Sequence, residues 1–114
     1  DDLLGVFGDE DVIGKPVGDD LREGKLTPLL AVALGRAAPS ERAVLERVGR
    51  PDLDDGAIKE LQDALVVSGA RAAIEAEIDA LVGDAQGAID RAPLEERARR
   101  WLHELAAYVG WRDR

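Results

Sequence analysis

Residues 1–25 read DDLLGVFGDEDVIGKPVGDDLREGK. Eight carboxylates crowd into this stretch, and its only lysines stand alone at Lys15 and Lys25. Asp1 to Phe7 has the composition of a helix, with Gly8 placed to end it. From Gly8 to Gly18 the pattern breaks, because Gly8, Gly14, Pro16 and Gly18 punctuate a polar loop. A short helical turn then runs from Asp19 or Asp20 to Gly24, and either aspartate could serve as its N-cap.

Downstream the chain keeps one kind of signal. Thr27-Pro28 pairs an N-cap residue with the residue best tolerated at the first helical position. It launches LLAVALGRA, nearly all apolar, which predicts a helix buried on most sides. Ser40 opens a second start, S-E-R-A-V-L-E-R-V, ended by Gly49 and Pro51. Asp54 or Asp55 can cap the next helix, with Ile58, Leu61 and Leu65 on one face. Ser68-Gly69 marks a break before a long helix in which Ile74, Ile78 and Leu81 keep one helical stripe. Gly83 and Gly87 weaken its end. Ala92-Pro93 begins a last helix with an apolar stripe of Leu94, Ala98, Trp101, Leu102, Leu105 and Val109, while Glu95, Glu96, Arg97, Arg99 and Arg100 face water. No strand-like alternation of useful length occurs. The expected fold class is all-α, packed helices with short connections.

Composition limits the function. At 114 residues one small domain fits. The net charge of −9 argues against nucleic acid, which needs a basic face. A polyanionic ligand would need metal cations or a local basic pocket. The absence of Cys excludes disulfides, thiolate catalysis and cysteine zinc sites, and is compatible with a cytoplasmic location. No apolar run approaches the roughly 18 residues of a membrane span, and no secretory segment is present. The first residue is not Met, as in a fragment, a processed form or an incomplete reading.

The spacing D-D-L-L-G-V-F-G-D-x-x-V-x-G-K-P-x-G-x-D-L-R-E-G-K resembles the second aspartate-rich region of the polyprenyl synthetase family, the trans-isoprenyl diphosphate synthases. The match is dense over residues 1–30 and thinner over residues 31–114, which resemble the family's C-terminal helices, including a closing Tyr-Val-x-x-Arg-Asp-Arg. The chemistry of the residues agrees. Mg²⁺ takes oxygen ligands and keeps waters, it bridges diphosphate oxygens, and lysines act as point charges on the remainder. Carboxylates cannot hold a diphosphate directly, but they can hold the metals that do.

The resemblance implies that residues 1–114 form the C-terminal portion of one isoprenoid synthase helical bundle. Residues 1–30 would carry the metal motif and diphosphate loop, and residues 31–114 the closing helices. It implies a prenyltransferase that condenses isopentenyl diphosphate with an allylic diphosphate, uses Mg²⁺, and is a homodimer at full length. Family motifs read D-D-x-x-D, whose first and fifth positions share a helix face; here Gly5 holds the fifth. Asp1 is then the candidate direct metal ligand. Asp2, about 100° around the helix, would hold a metal-bound water or a lysine. Asp20 matches an outer-shell aspartate, and Lys15 and Lys25 match lysines on the allylic diphosphate. Arg112 and Arg114 are candidates for the second diphosphate, beside the plainer reading of a frayed basic tail.

Other residues read more plainly. Asp9, Glu10 and Asp11 suit an acidic surface loop. His103 is a surface or half-buried residue with no second His or Cys to share a metal. Trp101 and Trp111 suit packing or an interface. Because the family's first aspartate motif precedes the stretch seen here, the 114-residue piece is expected to bind Mg²⁺ weakly and not to turn over. The alternatives are a non-catalytic helical subunit or interaction module, and a terpene cyclase of the same fold, against which the G-K-P and E-G-K lysines argue.

Overall fold

Two capping hydrogen bonds fix where the central helices begin. Thr27 Oγ1 accepts from Leu30 N at 3.3 Å, and Asp54 Oδ1 accepts from Ala57 N at 2.7 Å. Each satisfies a backbone donor that a helix start leaves unpaired. The computed structural model describes residues 2–8 and 18–112, with backbone only for Asp2, Leu4, Gly5 and Arg112. Among the described residues the elements are α1 (Asp2–Phe7), α2 (Asp19–Glu23), α3 (Pro28–Arg36), α4 (Pro39–Leu45), α5 (Asp55–Val67), α6 (Ala70–Arg91) and α7 (Glu96–Arg112). None is a strand, as the all-α expectation required.

The core lies where α1, α2, α3, the end of α4, α5 and the first turns of α6 converge. Leu3, Leu29, Leu45, Leu61 and Leu65 are its largest fully buried side chains. Each such burial contributes about 1.5–3 kcal/mol. No charged or polar side chain is buried among the described residues. α3 buries Leu29, Leu30 and Ala33, but Ala31 is exposed and Val32 and Leu34 are half-buried. It is therefore buried on one face, not on most sides.

Three expectations shift. α4 starts at Pro39 rather than Ser40; Pro39 takes the first helical position and Glu41 Oε1 accepts from Ala38 N at 3.4 Å. α7 starts at Glu96, not at Ala92-Pro93. A turn, in which Leu94 N donates to Ala92 O at 2.9 Å, holds the connection. Arg99 does not simply face water. Its guanidinium donates to the carbonyls of Ile89, Asp90, Ala92 and Leu94, taking up acceptors that the end of α6 and its turn leave free.

α6 and α7 form an antiparallel hairpin. Along α6, Ile74 is buried, Ile78 is half-buried against the core, and Leu81 is 60% exposed. The stripe thus runs out of core after Ile78. On α7 the line turned to α6 is Arg99, His103, Ala106 and Gly110. The expected stripe of Trp101, Leu102, Leu105 and Val109 faces outward and is exposed. Its period was right and its partner is not within this chain's described residues. No helix is long and apolar enough to cross a membrane among those residues.

Candidate functional site

α1 and α2 carry the candidate ligands, and several contacts fix them. Leu3 and Val6 anchor α1 in the core. Gln62 of α5 donates to Val6 O at 2.6 Å, satisfying a carbonyl at the C-terminal end of α1. Arg71 of α6 lies over the Phe7 ring, 4.2 Å from its centroid. α1 in turn packs against α2 and α3, so the helix bearing Asp2 lies beside the helix bearing Asp20.

α2 is too short to hold itself and is pinned from outside. Leu21 is buried. Arg22 Nε donates to Leu53 O at 2.9 Å, and its guanidinium reaches Asp19 at 3.4 Å and Asp55 at 3.6 Å. Gly24 ends the helix at φ +70°, and its N–H donates to Asp20 O at 3.1 Å. A Cβ at Gly24 would lie 2.8 Å from Gly49 Cα. Positive φ and this backbone contact both require glycine there. Gly49 N donates to Leu21 O at 2.7 Å, so the segment after α4 clamps α2 from behind.

This turn aims Lys25 back over α2. Lys25 Nζ lies 3.1 Å from Glu23 Oε2 and 3.4 Å from Asp20 Oδ1. Hydrogen bonding to Glu23, then to Asp20, raises the Lys25 pKa above its ordinary value. Lys25 is exposed, whereas the Asp20 side chain is 13% exposed. Between them and Val6, Thr27, Leu30 and Leu65 lies a crevice of about 10 Å³. That is room for one water at most and far short of a diphosphate.

The structure therefore brings together two of the expected site residues, Asp20 and Lys25, and places the Asp2 helix beside them. Asp1, Lys15 and Arg114, with the acidic loop residues 9–11, lie outside the described residues, as do the side chains of Asp2 and Arg112. The Arg112 backbone ends α7, whose main packing is on α6 rather than on α1 or α2. No group of three His, Cys, Asp or Glu among the described residues could hold a metal. Glu23, Arg22 and Gln62 were not singled out by sequence, and Gly49 was read only as the end of a helix. Glu23 and Arg22 sit inside D-L-R-E-G-K, the one signal that could have found them; Gln62 carries none, and the helix-ending signal of Gly49 does not reveal its contact with Gly24.

Comparison with known proteins points to one family. Residues 1–65 match the family model for polyprenyl synthetase. The farnesyl pyrophosphate synthase of Nezara viridula is 47% identical over 67% of this chain and 18% of its own length. The geranylfarnesyl diphosphate synthase of Aeropyrum pernix is 34% identical over 96% of this chain and 34% of its own. A geranylgeranyl pyrophosphate synthase from Corynebacterium glutamicum, crystallised with isoprenyl diphosphate and magnesium, superposes with a TM-score of 0.86 at 37% identity, over 92% of this chain and 30% of that one. The chain spans about a third or less of the length of these relatives.

Proposed function

Because this chain belongs to the polyprenyl synthetase family, we propose that it supplies one half of the metal and diphosphate site of a prenyltransferase that condenses isopentenyl diphosphate with an allylic diphosphate. The observation that carries this reading is the Asp20–Glu23–Lys25 cluster, an ammonium held over a carboxylate-bearing helix that packs on the Asp2 helix.

The donors on offer are carboxylate oxygens, which suit Mg²⁺. Asp1 would hold the ion. Asp2 and Asp20 would orient its waters, a role that fits an Asp20 carboxylate already facing an ammonium. Bound Mg²⁺ would supply charge neutralisation on the leaving diphosphate. Lys25, with Lys15, binds the diphosphate oxygens and stabilises the charge that gathers there as the allylic C–O bond breaks. Glu23 and Asp20 hold the Lys25 ammonium in place until the anion arrives. Arg112 and Arg114 are proposed for the second diphosphate, and the whole protein for a homodimer. No nucleophilic side chain is needed, because the double bond of isopentenyl diphosphate attacks the allylic carbon and the departing diphosphate can take the released proton.

Isothermal titration of the 114-residue chain with inorganic pyrophosphate and Mg²⁺ tests the site. Binding should require Mg²⁺ and weaken roughly tenfold in Lys25→Ala, about 1.4 kcal/mol. Equal binding by Lys25→Ala would remove Lys25 from the site. The chain alone should give no condensation product from labelled isopentenyl diphosphate, and detectable turnover would show that half a site suffices.

A further inference from the structure

On the Mg²⁺ role proposed above for Asp1 and Asp2, we infer that Gln62 is a positioning residue for the metal. From α5 it sets the rotation of α1, and so the aim of the carboxylates that begin that helix. Its amide donates to Val6 O at 2.6 Å, across 56 residues of sequence. Val6 O is one of the last four carbonyls of α1, which no residue within the helix can satisfy. One residue on, the Phe7 ring lies under the Arg71 guanidinium, which Glu75 holds in turn at 3.4 Å. The last turn of α1 is therefore gripped by polar contacts from two other helices, while Asp1 and Asp2 stand at its other end in sequence.

Burial alone leaves α1 free to roll. The helix has six residues, about 9 Å of length, too few to hold their own shape. Leu3 and Val6 share one face of it and are buried. Apolar contact is non-directional, so it fixes the depth of the helix better than its rotation. A hydrogen bond works over a narrow range of distance and angle, and Gln62 supplies one. Its support is firm: Asp54 caps α5, and Leu61 and Leu65 beside Gln62 are fully buried. Rotation matters to the ion above all. Mg²⁺ demands near-octahedral geometry, and groups that orient its ligands without touching it commonly change affinity by roughly 10–100-fold. A small roll of α1 thus weakens metal binding more than it weakens the fold.

Inorganic pyrophosphate binding to the 114-residue chain, titrated at rising Mg²⁺, tests this role. In Gln62→Met, which keeps the length of the side chain and loses the donor, the Mg²⁺ concentration for half-maximal binding should rise roughly tenfold. Gln62→His at about pH 8, where a neutral ring still donates, should reverse most of that rise. Leu45→Val, a core change on α4, serves as the control for stability. Its thermal midpoint should fall by roughly 4–8 °C, as in Gln62→Met, while its Mg²⁺ requirement stays at the parent value. A parent-like Mg²⁺ requirement in Gln62→Met would overturn the role, as would an equal rise in Leu45→Val or no recovery in Gln62→His. So would an unfolded Gln62→Met, which would make the contact a support of the fold alone. A parent chain that binds no pyrophosphate with Mg²⁺ would overturn the metal reading and this role with it, so the parent titration tells the two failures apart.

Discussion

Lys25 shows how two neighbours can prepare one charge. Its pKa is raised, chiefly by Glu23 and then by Asp20. A raised lysine pKa means the pairing is fully present below the ordinary value of 10.5 and is lost only as pH climbs through the higher folded value. Through neutral pH the ammonium persists with or without this shift, so the two carboxylates act by placing it. Glu23→Gln removes the largest cause, so the Lys25 pKa, followed by NMR of its side-chain carbon, should fall back toward 10.5; an unchanged value would mean that Asp20 alone holds the amine. At this scale the motif residues Asp20 and Lys25 could be read from sequence because their spacing is local. Arg22 and Gln62 could not be read as supports, because the carbonyls they hold belong to Leu53 and Val6, far away along the chain.

At the scale of elements, local chemistry was the better guide to helix starts than to helix faces. Thr27, Asp54 and Gly69 mark starts because capping is settled within four residues. Pro93 misled, since the carbonyls at the end of α6 are claimed by Arg99 from α7, a contact that propensity cannot see. The faces of α6 and α7 were read with the right period and an assumed partner. Two glycines in this hairpin make the difference measurable. Gly83 has open space around its missing Cβ, so Gly83→Ala should raise stability by about 0.5–1 kcal/mol. Gly110 faces Val82, so Gly110→Ala should cost about 1–3 kcal/mol through overpacking, less the propensity gain. Opposite signs in chemical denaturation would bear out the geometry; two gains would mean the helices stand further apart.

The molecule as a whole measures 52 × 30 × 18 Å, with a radius of gyration of 16.9 Å. A compact chain of this length would have about 13 Å. The excess reflects the hairpin, which leaves the core after Ile78. Amides of α6 beyond Ile78 and of α7 should therefore exchange with solvent faster than those of α5, by hydrogen exchange followed by mass spectrometry; uniform protection would contradict so thin an extension. All-α character and helix order were legible because each helix carries its own period. The layout was not, because it depends on which surfaces remain without partners. The back-to-back approach of Gly24 and Gly49 carries a consequence of its own. Two bends separated by two helices, α3 and α4, share a space that the first could not keep with a side chain. A side chain at position 24 would thus press on the Gly49 backbone that clamps α2, and would shift Lys25 and the anion affinity proposed for it without removing any charged group.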